Sequence, residues 1–578
     1  MRSFYNDVRE KSGLWIVVFL LAVLSHGTML LGRSIGIDTE DLIALQEAFY
    51  GEWLSMGRQG LVLLKLLFGT GIFNPQLAGV MTLLFLVVAC MLWTSLFSCV
   101  SGKDSQAAVF VFSGLLLVSP LITEQMYFKL QSMEVAFGFC LMAVSLLLVY
   151  WSTTTKNHKQ KYLFFCGSVL FNVVLFSLYQ VMVPLFLFGA SACFFLYCFF
   201  RKDASVREMK KLGILYLAVF LIGFICNQIL TMVCFSAGAD YLTGQVRWFT
   251  QSFKDCLINI YWHVKAVLLG QGMYYSKFYP VGCLFLIGIV LYNGRDKKRK
   301  AAFIGTVISL LMTIASPFYM TILCAVEPVR RSQLVMPFAL AFVAYVLILC
   351  TDPCIGDMPL AWRTGRAASR EDKASLLDYT DPCIGTMPLT WRMGRAASRE
   401  DETSLLDYTD PCIGDMPRTS RTASMGKIRY IVLLVLCVTT GYVQLSGTMR
   451  LNYTDSVRYE SDVRTAQAIM EDLDKLGDDA HAYPIIFVGK RAAELNNSCV
   501  MGDTIGYSFF EWDTDVAPQG FYNTRRIIHF FHVLGGDYHR GNEAQALKTA
   551  EYSKSMNSWP MEGSIVLHDD CIIVKLSD

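Results

Sequence analysis

Asp38, Glu40 and Asp41 fall within four consecutive positions of "GIDTEDL", and Arg58 follows in "GEWLSMGRQG". A carboxylate placed there can take a proton from an attacking hydroxyl, a contribution worth about 10²–10⁴ in rate. A guanidinium can hold a leaving phosphate through paired hydrogen bonds and neutralise its charge. Other residues could complete such chemistry: Glu124 and Lys129 in "EQMYFKLQSME", Tyr179 and Gln180 in "SLYQ", Arg330 and Arg331 in "AVEPVRRSQ". Each also has a plain structural explanation. Asp38 could cap a short helix with Asp41 closing a capping box, and Lys129 and the arginines could snorkel to a membrane surface. In a helix that starts early, Asp38 and Asp41 share a face and Glu40 turns away. "DTED" could also coordinate a divalent cation.

The elements that must position these residues are apolar. Of 578 residues, 54% are hydrophobic and 17% charged, with mean hydropathy +0.42. A soluble chain carries about 25% charged residues. The balance predicts a polytopic α-helical membrane protein, and a net charge of +2 gives no footing for nucleic acid. A bilayer core takes about 20 apolar residues as helix. Runs of that kind lie at 14–31, 76–98, 107–122, 134–152, 162–179, 182–200, 213–235, 279–293, 302–322, 333–350 and 428–447, which predicts about eleven transmembrane helices. Arg2, Arg9 and Lys11 precede the first run, and no small-residue cleavage site follows it, so an uncleaved anchor is expected. Three basic loops, "STTTKNHKQK", "RKDASVREMKK" and "GRDKKRKAA", then fall on the side of the N-terminus. The positive-inside rule makes that side cytoplasmic. Loop 32–75, with the acidic triplet, faces outward, as does the tail from 448. The segment "FYGEWLSMGRQGLVLLKLL" is too polar to span and is expected to lie along the interface.

Four regions follow. Residues 1–350 form a transmembrane domain of ten spans. Residues 351–427 hold a tandem repeat of period 29, "TDPCIGDMPLAWRTGRAASREDKASLLDY" and two further copies, the last truncated. Few of its residues could build a core, so it is expected to be a flexible cytoplasmic loop, with Cys354, Cys383 and Cys412 by-products of duplication. Residues 428–447 form the last span, and 448–578 a small outer α/β domain with strands at "YPIIFVG" and "CIIVKLSD". In that domain Cys499 and Cys571 could pair, and His529 and His532, one helical turn apart, read as structural residues.

The order "SHGTMLLGRSIGIDTEDL" and "GEWLSMGRQG" after the first span, the later "SLYQ", and the tail with "YPIIFVG" and "GSIVLHDDCIIVKLSD" resemble the bacterial and phage glucosyltransferases of the GtrII type. That resemblance implies a GT-C-like enzyme of the bacterial plasma (inner) membrane. Its donor would be a polyprenyl-phosphate-linked hexose, glucose, and its acceptor a surface polysaccharide such as O-antigen. The resemblance makes Asp38, Glu40 and Asp41 the catalytic region, with the base undecided among them. Arg58, Lys129, Tyr179, Gln180, Arg330 and Arg331 are the candidates for substrate and phosphate binding. Direct displacement inverts the anomeric centre. A divalent cation is the one candidate cofactor. A rival class is a transporter or flippase of lipid-linked glycans. It usually carries ionisable residues at the bilayer midplane, whereas the charge here concentrates outside the spans.

Overall fold

The computed structural model describes residues 11–69, 72–234, 246–293, 300–352, 419–518 and 520–577. The chain is mostly helical. Helix α1 (Ser12–Leu31) leads into a loop with three short helices, α2 (Thr39–Ala44), α3 (Gln46–Ser55) and α4 (Gln59–Leu67). Helix α5 (Pro75–Ser101) starts sharply. Asn74 accepts from the backbone N–H groups of Gln76 and Leu77 at 2.9 and 3.0 Å, and Pro75 fits a first-turn position that has no N–H to satisfy. Helices α6 (Gln106–Leu117) and α7 (Pro120–Met126) meet at a 54° bend. Pro120 cannot donate to the preceding turn, so the helix breaks there. Then come α8 (Lys129–Thr154), α9 (His158–Leu178), α10 (Met182–Phe200), α11 (Val206–Cys234), α12 (Phe253–Leu269), α13 (Phe278–Asn293), α14 (Lys300–Ala315), α15 (Tyr319–Cys324) and α16 (Val335–Thr351).

Among the described residues eight helices are long and apolar enough to cross a membrane, or nine if the bent α6–α7 pair is one span. The protein is a multi-pass membrane protein. Two shorter apolar helices, α13 and α16, coincide with the remaining expected runs at 279–293 and 333–350. The break between α9 and α10 falls at Tyr179–Val181, between the runs expected at 162–179 and 182–200.

By contacts the chain divides into two compact units, Met1–Cys350 with Val432–Asp578, and Thr351–Ile431. The body of the repeats, with Cys354, Cys383 and Cys412, lies outside the described residues. Helix α17 (Thr419–Asp474) is 56 residues long. The boundary expected at 447/448 therefore falls inside one continuous helix. No proline interrupts it, and Gly447 lies against Pro120 and Met273, so a flexible residue there is braced by packing.

Beyond α17 the tail forms strand β1 (Ile485–Val488), helices α18 (Phe521–Val533) and α19 (Glu543–Tyr552), and strands β2 (Ile565–His568) and β3 (Cys571–Lys575). The sheet order is β1-β3-β2, with β1 parallel to β3 (Ile485 opposite Ile572) and β2 antiparallel to it. Both runs read as strands from the sequence thus pair with each other. Cys499 and Cys571 are free thiols.

The core of the tail is continuous with the first loop. Ile35, Ile37, Leu42 and Trp53 share one buried apolar cluster with Ile485, Phe487, Phe509, Ile527, Phe530 and Val574. Burying such side chains is worth about 1.5–3 kcal/mol each, so the loop between α1 and α5 and the tail are held together by ordinary core packing.

Candidate active site

Helix α2 carries the acidic triplet and α18 lies against it. Asp38 precedes α2 with φ +69°, a left-handed conformation costly for a residue with a Cβ, and its side chain makes no capping hydrogen bond. The capping role considered from the sequence is therefore not what holds it. Its Oδ1 instead accepts from Arg526 Nη1 of α18 at 2.8 Å. Glu40 Oε1 accepts from the same nitrogen at 3.2 Å, and Asp41 Oδ2 lies 3.8 Å from it. Asp513, the second carboxylate residue here with positive φ (+58°), takes the hydrogen bond of Arg526 Nε. Arg525 Nη2 is 3.0 Å from Asp41 Oδ2, and His529 Nδ1 donates to Asp41 Oδ1 at 2.5 Å.

Four carboxylates thus surround two guanidiniums and one imidazole. Glu40 does not turn away as the helical face suggested; it points inward. Exposure separates the triplet: the Asp38 side chain keeps 32% of its surface, Asp41 5% and Glu40 none. Glu40 Oε2 is buried with no hydrogen-bond partner among the described residues. Burial and the adjacent Asp41 charge push the Glu40 carboxyl well above its ordinary range, against the pull of Arg526. Burial acts on Asp41 in the same sense, but the His529 hydrogen bond and the Arg525 and Arg526 charges outweigh it and hold Asp41 below the usual value. Two neighbouring carboxyls pushed apart in this way are the usual mark of divided acid–base roles.

A buried guanidinium fixes the backbone leading to Asp38. Arg458 of α17 donates from Nη2 to Ile35 O at 2.8 Å and is paired with Asp455 and Asp462. Asp462 in turn accepts from Ser508 Oγ at 2.6 Å and the Phe509 amide at 3.2 Å. Gly36 has no room for a side chain, because a Cβ would lie 2.7 Å from Tyr127 O.

The other candidates form separate groups. Arg58 lies over the Tyr179 ring, 5.7 Å from its centroid, and Gln180 beside it is half-buried. Lys129 is buried and donates to Gly32 O at 2.8 Å, which closes the end of α1. Arg331 stacks on Phe128 at 4.1 Å. Arg330 pairs with Glu327, donates to the Tyr275 hydroxyl and gives its backbone N–H to Asp503 Oδ2 at 2.9 Å. Among the described residues no hydrogen bond or ion pair joins Lys129, Arg330 or Arg331 to the triplet.

Glu124, at the broken α6–α7 span, receives the Tyr274 hydroxyl, the Asp503 amide at 2.8 Å and Thr504 Oγ1 at 3.1 Å. Among the described residues no group of three His, Cys, Asp or Glu is arranged to hold a metal ion. The "DTED" carboxylates instead meet Arg525, Arg526 and His529.

Arg525, Arg526 and His529 were not singled out for chemistry by the sequence. The signal was present: "NTRRIIHFF" puts two arginines in an aromatic helix with no acidic residue within a turn. A charge without a local partner in an otherwise buried stretch implies a distant one.

A bundle of apolar helices whose first inter-span loop pairs its carboxylates with arginines of the tail defines a polytopic membrane protein. The chain belongs to the GtrII glucosyl transferase family: the model described as "Glucosyl transferase GtrII" matches residues 11–348. The protein is accordingly a membrane glucosyltransferase. The match contains the acidic triplet, Arg58, Lys129, Tyr179, Gln180, Arg330 and Arg331, and stops short of Arg525, Arg526 and His529. No curated protein and no solved structure matches the chain.

Proposed function

We propose that the enzyme transfers glucose from a polyprenyl-phosphate donor to a hydroxyl of a surface polysaccharide at the outer face of the bacterial inner membrane, with inversion, on a GT-C-like bundle of eleven crossings. The three basic loops support that orientation, and the contact of α18 with α2 puts the first loop and the tail at one end of the bundle. No cytoplasmic glycine-rich loop or DxD motif speaks for a nucleotide-sugar donor.

Glu40 is the general base in this reading. The observation that carries it is the unpartnered Glu40 Oε2 beside an Asp41 whose oxygens are held by His529 and Arg525. A raised pKa suits a base that must take a proton near neutrality. The acceptor oxygen loses its proton to Glu40 and bonds to the anomeric carbon. The bond from that carbon to the phosphate oxygen breaks, and the lipid phosphate leaves with the electron pair. No acid is needed for a phosphate leaving group. Asp38, the one partly exposed member of the triplet, meets the acceptor first. Arg331, stacked on Phe128 without an ion pair among the described residues, receives the phosphate, with the adjacent Arg330 as a second cation.

Glu40→Gln in the full chain, reconstituted with a synthetic polyprenyl-phosphate glucose and the acceptor glycan, tests the assignment. The variant should assemble normally, since the amide mimics the neutral carboxyl, and lose transfer by about 10²–10⁴. Full transfer by the variant excludes Glu40 as the base. Surface-glycan analysis with and without the gene identifies the sugar and acceptor.

A further inference from the structure

Helix α12 lies between α11 and α13, yet it is not among the helices long and apolar enough to cross a membrane. It and its lead-in nevertheless expose Phe249 at 92% and Phe253, Leu257, Tyr261, Trp262 and Leu268 at 46–68%. Residues 253, 257 and 261 recur every four positions, so they form one stripe. Cys256, His263 and Val267 form another, and all three are buried. The exposed stripe continues surface that already belongs to the bundle. Trp248 Nε1 donates to Ile322 O at 2.8 Å, and Ile322 and Leu323 of α15 are themselves exposed. Arg247, Lys254 and Lys265 against the single Asp255 leave the segment a net two positive charges (three minus one). Lys265 Nζ sits 4.5 Å from the Trp262 ring centroid, which groups aromatic surface with a cation.

An apolar stripe with Trp, Tyr and Lys, joined to the bundle's exposed apolar face, matches the boundary between acyl chains and headgroups. The buried stripe connects inward. His263 is 2.7 Å from Thr321 Oγ1 through Nδ1 and 3.0 Å from the Tyr275 hydroxyl through Nε2. That hydroxyl donates to Gln333 Oε1 at 2.7 Å and receives Arg330.

We propose that α12 is an in-plane helix seated on a phospholipid surface at the headgroup level, and that through His263 and Tyr275 it sets the depth at which the Arg330–Arg331 segment meets a lipid-borne phosphate. The second half rests on the donor assignment above; the first does not.

The test uses the full chain in phosphatidylcholine–phosphatidylglycerol nanodiscs whose lipids are unlabelled, brominated near the headgroup, or brominated near the chain end. The Trp262 signal is the difference between wild-type and Trp262→Phe fluorescence. It should be quenched more by shallow than by deep bromine and little by aqueous iodide. Quenching by iodide with no effect of either bromolipid, or stronger quenching from the chain ends, overturns the in-plane placement. His263→Gln should raise the donor KM several-fold with kcat nearly unchanged, while the Trp262 difference signal shows whether the helix stays seated. A wild-type KM in that variant overturns the coupling and leaves the seating result standing. If no lipid-phosphate donor is used at all, the donor reading fails while the quenching result still decides the placement.

Discussion

His529 Nδ1 donates to Asp41 Oδ1 across 2.5 Å, joining the tail helix α18 to the first loop of the bundle. The bond fixes one carboxylate oxygen, and Arg525 takes the other. With Glu40 as the proposed base, His529 is a positioning residue: it helps hold Asp41 ionised, and the Asp41 charge raises Glu40. His529→Gln should lower kcat with little change in acceptor KM and shift the acid limb of the rate profile. Steady-state kinetics over pH measure both. An unchanged profile with a lower melting temperature would mean that the bond serves packing alone.

The pH dependence has a defined sign. Glu40 must be ionised to act, so transfer should rise with pH through its raised pKa, on a limb above the ordinary value of 4.5. Stability runs the other way for this group. Its contribution is full below 4.5 and is lost as pH rises through the folded value. For Asp41, held below 3.8, the contribution is present above 3.8 and is lost as pH falls through the folded value. Thermal melts of wild type and Glu40→Gln should converge in acid and separate towards neutral pH, the variant being the more stable there.

Arg526 touches all four carboxylate residues of the site. Breaking a buried pair by removing one partner costs about 3–5 kcal/mol, because the remaining charges lose their compensation. Arg526→Met should therefore lower the melting temperature in detergent and expose the tail to protease. Protease resistance equal to wild type would show that apolar packing alone keeps the tail on the loop.

Arg331→Ala removes the phosphate contact assigned to it. A hydrogen bond to a charged group is worth about 1.5–3 kcal/mol, so the donor KM should rise about 10- to 100-fold. Donor titration at saturating acceptor measures it, and an effect confined to the acceptor KM would reassign the residue.

Gly502→Ala probes the contact between the tail and the broken α6–α7 span. An added Cβ would collide with Glu124 Oε1, which receives the Asp503 amide. Overpacking of this kind costs about 1–3 kcal/mol. The melting temperature should fall, and by less in a Glu124→Ala background, where the opposing oxygen is gone.

The apolar runs and the acidic triplet were legible because both are local. A helix needs only consecutive apolar residues to announce a span, and "GIDTED" concentrates its charge in four positions. The strands at 485–488 and 571–575 were legible for the same reason. What they pair with was not, since β1 and β3 are brought together by segments far apart in the chain. The same distance hid Arg525, Arg526 and His529, whose role depends on a helix nearly five hundred residues downstream of the triplet. Helical geometry alone turned Glu40 away, because the left-handed Asp38 and the docking of α18 lie outside what periodicity can express.

The unbroken α17 sets where the chain can gain or lose residues. A helix advances about 100° per residue, so one residue inserted between Gly447 and Asp455 would swing Arg458 a quarter-turn off the Ile35 carbonyl. The backbone before Asp38 would lose its donor even if every side chain survived. Ahead of α17 the sequence carries whole 29-residue duplications. A census of natural insertions and deletions in this chain should find them crowded before the helix and absent between its apolar half and Asp462.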